Sequence, residues 1–405
     1  MKTIYLFTHS YPFKENTENF IESELEVASR LNDIRLTVVP LRGSKMPRIL
    51  PEGIKLDLSL VHSSFHNRIK ALTSMMFSIL FWKLPFLKEH APKTLRDYKN
   101  GYKYLYGAYI IKNYILNNIG IFSEVDIIYS YWFTHTPLGA GLAKKVNPNL
   151  KYKIITRAHG FDVYEKRIGV YFPYRHLTLS LIDKVFVVSN VGKRVLQEKY
   201  AQHKEKIQTA YLGILQTSSY SQIISKQINF VSCSNINRNK RVDLIFQLIN
   251  KFAGQNSQKV IKWAHYGTGP AISELNKVIA SNKSDNLSVN LKGYVKNENV
   301  RRDLSQNNFS IFINMSLSEG IPVSIMEAIN VGIPIIATDV GGSSEIVCAE
   351  TGVLVNVDVS YEEFESAVNK ILLDTSLPSR ARAYFNSHFN ATTNFSKFYH
   401  EINSL

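Results

Sequence analysis

The chain is poor in cysteine, has no long apolar run and has too few acids to balance its bases. Two cysteines, Cys233 and Cys348, in 405 residues cannot build a disulfide framework or a zinc cage, which points to a reducing compartment. The apolar run from Met75 to Trp82 is far below the ~20 residues that span a bilayer, and Lys83 and Lys88 interrupt its continuation. At the N-terminus, Ile4–Phe7 is too short for a signal peptide and His9 follows. These absences predict a cytoplasmic protein. No Walker-type loop is present, and no strand–turn–helix Gly-x-Gly-x-x-Gly opens the chain, so ATPase and dehydrogenase readings lose support.

The composition, 45% hydrophobic and 20% charged, is that of a globular protein and excludes a disordered or fibrous one. Its 48 Lys+Arg against 33 Asp+Glu give a net charge of +15. Residues 1–215 hold 31 bases and 17 acids, whereas residues 216–405 hold 17 and 16. The excess therefore belongs to the first half, and it is densest over 42–120, with 13 bases and 4 acids. There the bases interleave with aromatics, as in Phe81-Trp82-Lys83 and Tyr102-Lys103-Tyr104. That pattern predicts contact with an anionic membrane surface. Nucleic acid is the other polyanion that charge alone would suggest, but no recognition motif supports it, so no nucleic-acid partner is expected.

Short β-branched and aromatic runs alternate with helical patterns along the whole chain. Strands are expected at Thr3–Phe7, Arg35–Pro40, Asp126–Tyr131, Lys153–Thr156, Lys184–Val188 and Thr209–Leu212. A second set follows at Asn229–Ser232, Val260–His265, Ser288–Lys292, Ser310–Asn314, Pro334–Ala337 and Val353–Val355. Nearly all are continuously apolar, as in parallel sheets covered on both faces. The expectation is an α/β protein of two doubly wound, Rossmann-like domains facing a cleft. Residues 1–215 would form a basic, acceptor-side domain and 216–385 the second, with 386–405 a C-terminal helix returning to the first domain. The polar stretch Gln216–Gln227 reads as the linker.

The most informative stretch is Ser316-Leu-Ser-Glu319-Gly320-Ile321-Pro322-Val323-Ser324-Ile-Met-Glu327. It follows a strand and opens a helix, whose N-terminus offers free N–H groups and about half a positive charge to a phosphate. Gly320 permits close backbone approach, and Ile321, Val323 and Ser324 can donate N–H bonds. Glu319 and Glu327, eight residues apart, could each hold the hydroxyls of one sugar ring. With Gly332-Ile-Pro334, Asp339-Val-Gly341-Gly342-Ser-Ser-Glu345 and Thr351-Gly352, this stretch resembles the nucleotide-sugar half of family 4 glycosyltransferases, retaining enzymes of the GT-B fold.

The resemblance implies that Glu327 holds the ribose and that Glu319, with the backbone after it, faces the donor sugar. Tyr294 and Val295 of Leu291-Lys-Gly293-Tyr294-Val295 would lie along the base. Lys240 matches the family's diphosphate-binding lysine. Asn235 stands where the family usually has arginine, leaving Arg238 or Arg241 to supply a second charge, or the one cation to suffice. Trp263-Ala-His265-Tyr-Gly267-Thr-Gly269 resembles the family's Gly-rich turn, and His159-Gly160-Phe161-Asp162 resembles its His-Gly-x-Asp element, where the histidine meets the donor sugar. Asp162 reads as a residue that orients local backbone. Tyr11, Glu18 and Phe20 follow the first strand in a variant resembling exopolysaccharide and capsule enzymes, and would lie on the acceptor side.

No Asp-x-Asp occurs, so no metal is expected. Glu22, Glu24 and Glu26 alternate in a way that a helix would scatter. The expected activity is transfer of a sugar from a nucleoside diphosphate to a glycan or polyprenyl-pyrophosphate-linked acceptor in bacterial surface polysaccharide synthesis, on the inner face of the cytoplasmic membrane. His159, Lys240 and Glu319 would be the catalytic groups. A GT-B nucleotide-sugar epimerase or sugar phosphorylase is the alternative.

Overall fold

The computed structural model describes all residues except 14–17, 44–45, 88–90, 166–170 and 218–226. Lys88 and most of the stretch Gln216–Gln227 lie outside the described residues. The chain divides into two compact units, Met1–Tyr211 with Phe395–Leu405, and Leu212–Asn394.

The first unit contains β1 (Lys2–Thr8), β2 (Ile34–Pro40), β3 (Lys55–Leu56), β4 (Ile127–Ser130), β5 (Lys153–Ala158), β6 (Lys184–Val187) and β7 (Ile207–Thr209). They form one parallel sheet in the order β3-β2-β1-β4-β5-β6-β7. The second unit contains β8 (Gln227–Cys233), β9 (Val260–Tyr266), β10 (Leu287–Gly293), β11 (Ile311–Asn314), β12 (Ile335–Thr338) and β13 (Gly352–Val355). Their order is β10-β9-β8-β11-β12-β13. In each sheet the strand order reverses once, between β1 and β4 and between β8 and β11. At such a reversal the loops at the strands' carboxyl ends diverge and open a crevice for a ligand.

The helices follow from apolar periodicity. In Val242–Gln255, the residues Val242, Ile245, Phe246, Ile249, Phe252 and Ala253 are buried at the three- and four-residue spacing that keeps them on one face. They pack with Trp263 and Ile311 in the core of the second unit, each large side chain contributing ~1.5–3 kcal/mol by burial.

Three departures from the expected strands have local causes. The last strand of the first sheet lies earlier than Thr209–Leu212, because buried Ile207 takes the pairing position beside Val185. Strand β3 has only two residues, too few to show a pattern. Strand β10 alternates buried and open positions because it is a sheet edge, not a strand covered on both faces.

The basic, aromatic stretch after β3 is helical: α2 (Phe65–Met76), α3 (Ile79–Lys83) and α4 (Leu95–Asn117), with α1 (Glu22–Ala28) earlier in the unit. Thr94 and Asp97 cap α4 reciprocally. Ala71, Met75, Leu84, Tyr104 and Leu105 join these elements in a second core. From Phe395 onward the last helix, Ala391–Asn403, is part of the first unit. There Phe398 lies under the Arg157 guanidinium at 4.4 Å, and Arg157 pairs with Glu24 at 3.3 Å, both fully buried. Glu22 pairs with Arg48 and Glu26 with Arg30, so the three alternating glutamates point to three different arginines.

Candidate functional site

In the second unit, two of the expected site residues, Lys240 and Glu319, meet at the reversal between β8 and β11. The loop after β11 carries Glu319, whose Oε1 accepts from Lys240 Nζ at 2.5 Å and from Asn314 Nδ2 at 3.2 Å, with Ser316 Oγ at 2.6 Å. Lys240 comes from the loop after β8, and the two loops are laced together. Leu317 N donates to Asn239 O at 2.8 Å, and Asn239 Nδ2 donates to Ser318 O at 3.1 Å. Thr338 at the end of β12 ties the same loop through Ser316 O at 2.6 Å.

A third loop closes over Glu319. Gly341 has φ +54, and a Cβ there would lie 1.8 Å from the Glu319 carbonyl oxygen. Gly342 N donates to Gly320 O at 3.1 Å. Only glycine allows both the left-handed backbone and this approach. Gly267 has the same function on the other side, since a Cβ there would meet Ser234 O at 1.9 Å.

Glu327 lies on the helix Val323–Asn330, buried, with Oε1 lacking a hydrogen-bond partner among the described residues. Burial pushes its carboxyl up to about 7, while Arg301 and an Asn297 hydrogen bond act in the opposite sense. A buried carboxylate with an orphaned oxygen costs stability unless a ligand completes its hydrogen bonds. Vicinal hydroxyls are such a ligand. Asn297 and Arg301 were not anticipated; their signal was position, since the helix Asn297–Gln306 starts just after Tyr294 and Val295.

Tyr294 is exposed beyond β10, and Val295 and Ser324 are partly exposed. Pro322 precedes the helix that opens at Val323 rather than sitting within its first turn. Asn235 is exposed, and its Oδ1 lies where a Gly269 Cβ would stand 2.2 Å away.

Arg241 is held by backbone carbonyls through two of its nitrogens, while its Nη2 lacks a hydrogen-bond partner among the described residues. Its Nε donates to Met315 O at 2.6 Å and its Nη1 to Val357 O at 2.7 Å, so it braces the Glu319 loop from behind. The cation at Glu319 is Lys240.

In the first unit, His159 follows β5 and is buried. Its Nε2 donates to Tyr131 O at 3.1 Å, since a carbonyl can only accept, which leaves Nδ1 as the acceptor. Burial, with Arg157 nearby, depresses it to about 3. It is therefore neutral throughout the physiological range. Rings of Phe20, Tyr131 and Trp132 surround it at 4.7–5.2 Å. Asp162 accepts from His159 N at 2.5 Å and from Phe133 N at 2.6 Å, so it ties the loops after β4 and β5, as expected of a backbone-orienting residue.

Glu18 accepts from the successive N–H groups of His9, Ser10 and Tyr11 at 3.0, 2.9 and 2.8 Å, and from the Trp132 indole. The carboxylate thus fills a nest of backbone donors after β1 and fixes the loop. Beside it lies a cavity of about 540 Å³, lined among others by His9, Arg42, Lys103, Trp132, Phe161 and Phe172. Tyr11 is buried and does not line the cavity. Of the aromatic and cationic residues that line it, Lys103, Tyr104 and Phe161 stood in stretches singled out from sequence, and the others did not because they come from separate segments.

The two sheets define a GT-B fold, and chains of that fold resemble this one over its full length. The lipopolysaccharide outer core galactosyltransferase WaaB has TM-score 0.69 and 15% identity, with coverage of 100% of this chain and 99% of that one. Anabaena HepE in complex with UDP and glucose has TM-score 0.65 and 14% identity, covering both chains completely. Residues 217–387 match the model of the family Glycosyl transferases group 1.

Among curated relatives, the GtfA subunit of the UDP-N-acetylglucosamine–peptide N-acetylglucosaminyltransferase of Streptococcus pneumoniae is 27% identical over 46% of this chain. That match spans only 36% of the relative's own length. The putative colanic acid biosynthesis glycosyltransferase WcaL of Escherichia coli is 24% identical over 66% of this chain and 69% of its own.

Proposed function

We propose that this protein is a retaining, metal-independent glycosyltransferase. It moves a sugar from a nucleoside diphosphate to a glycan or lipid-linked oligosaccharide in bacterial surface polysaccharide synthesis, at the cytoplasmic face of the membrane. The observation that carries this reading is the orphaned, buried Glu327 carboxyl within the segment that matches the group 1 glycosyltransferase model and also presents the Lys240–Glu319 pair.

Ribose hydroxyls donate to Glu327 and relieve its unsatisfied oxygen. The diphosphate draws Lys240 away from Glu319, and the first-turn N–H groups of the helix at Val323 and Ser324 add further donors. Glu319, released from its lysine, accepts hydroxyls of the donor sugar. As the bond from anomeric carbon to phosphate oxygen breaks, the leaving diphosphate gains charge that Lys240 offsets. The acceptor hydroxyl attacks on the same face and its proton passes to the departing phosphate oxygen. Lys240 and the helix N-terminus supply the electrostatic role that a divalent ion would otherwise take. The aromatic cavity beside Glu18 takes the acceptor, with sugar faces against Trp132 and Phe161.

The test is incubation of the purified protein with a panel of nucleotide sugars, UDP-sugars first, with and without a lipid-linked oligosaccharide fraction. Free nucleoside diphosphate and labelled glycolipid should form together, and only when both substrates are present. Conversion of the nucleotide sugar without acceptor, or release of sugar phosphate on adding inorganic phosphate, would replace this reading with an epimerase or a phosphorylase.

A further inference from the structure

The helical insertion between β3 and β4 is more apolar on its outside than folding requires. Along α2, Phe65, Ile69, Leu72 and Met76 recur at spacings of four, three and four, so they share one face. All four are exposed, while only Ala71 and Met75 of this helix are buried. The exposed set continues through Phe77, Ile79, Trp82 and Phe86, with Phe77 91% and Phe86 81% accessible. Single exposed apolar residues are ordinary, but a run of eight between residues 65 and 86 is a surface in need of a partner.

Charge identifies the partner. Arg68, Lys70 and Lys83 lie among these residues, and Leu95, Lys99 and Lys103 are exposed along one face of the adjoining α4. None of these cations forms an ion pair among the described residues. The one described acid in this stretch, Asp97, is occupied in capping α4 through the N–H groups of Lys93 and Thr94.

We propose that the outer face of α2 and α3 docks on an anionic lipid bilayer and lies in its headgroup region. No single described helix is long and apolar enough to cross a membrane, and α2 and the α3 segment bend by 58° at their junction. Ala71, Met75 and Leu84 pin both segments to the core of their own unit. Charge also argues against a second copy as occupant, because its identical cations would face these ones, whereas anionic headgroups complement them. The face adjoins the cavity through α4, where Lys103 lines the cavity and Lys99 lies one turn earlier. A lipid-borne acceptor would thus meet the cavity from the membrane side. The docking inference itself does not depend on the enzymatic reading.

The experiment is co-sedimentation with phosphatidylglycerol–phosphatidylcholine vesicles, compared with phosphatidylcholine alone, together with Trp82 quenching by brominated lipid. The wild type should bind the anionic vesicles, and the quenching should vanish in Trp82→Phe. Phe77→Ser/Trp82→Ser/Phe86→Ser should weaken binding by ~tenfold or more. Arg68→Gln/Lys70→Gln/Lys83→Gln should remove the preference for anionic lipid. UDP binding, measured in parallel, should be unchanged in both variants; its absence in the wild type would count against the proposed function and not against docking. Equal vesicle binding by the wild type and the apolar variant, or no quenching of Trp82, would overturn the inference. So would a dimer in sedimentation velocity that the apolar variant dissolves.

Discussion

Glu327→Gln separates the cost of burying this carboxyl from its proposed use. Burial moves this carboxyl from its ordinary 4.5 to about 7, a gap worth about 3 kcal/mol at ~1.36 kcal/mol per pH unit. Below pH 4.5 both folded and unfolded forms are protonated and burial carries no ionic cost. As pH rises toward 7 the unfolded chain loses its proton first, so folding stability falls by up to about 3 kcal/mol. Glutamine has no proton to lose. At about pH 8 the variant should therefore be more stable than the wild type by up to ~3 kcal/mol, and at about pH 4.5 equal to it. Urea denaturation followed by Trp263, the tryptophan of the second unit, in a Trp82→Phe/Trp132→Phe background reads this difference. UDP affinity should drop in the same variant by ~tenfold or more, because hydrogen bonds to a charged acceptor are lost. A stability difference that does not change with pH, or unchanged UDP affinity, would refute the reasoning.

Lys240→Ala should lower kcat by ~10²-fold or more, the usual effect of removing a donor aimed at developing charge; near-normal turnover would show that the diphosphate is held elsewhere. Gly341→Ala forces a Cβ against the Glu319 carbonyl at φ +54, adding ~1–2 kcal/mol of backbone strain before the clash. It should weaken UDP binding with little effect on vesicle binding, and a variant of wild-type affinity would mean that the two loops are not coupled. Because His159 is held near 3, kcat/KM should show no limb near pH 6.5 that His159→Asn abolishes.

Much of the fold was legible because parallel strands buried on both faces read as unbroken apolar runs, as in Ile335–Thr338. The edge strand β10 and the two-residue β3 escaped that signal, one by alternating and the other by brevity. At the candidate site, the meeting of Lys240 with Glu319 was legible because local strand–glycine–helix spacing places both loops. For Arg241, sequence shows that a cation is near but not that Met315 O and Val357 O take two of its donors. Glu18 was legible as a position but not as the carboxylate that fills a nest after β1. In the 42–120 stretch, sequence gave the mixture of bases and aromatics, yet Tyr104, Leu105 and Met75 are core while Phe65, Phe77 and Phe86 face outward. Only packing sorts these two groups.

The most direct test of the central claim is the configuration of the new linkage. When the protein is supplied with an α-configured nucleotide sugar and the acceptor it uses, the anomeric proton coupling of the product should report an α-linkage. A β-linked product would contradict the same-face mechanism built on Lys240, Glu319 and Glu327.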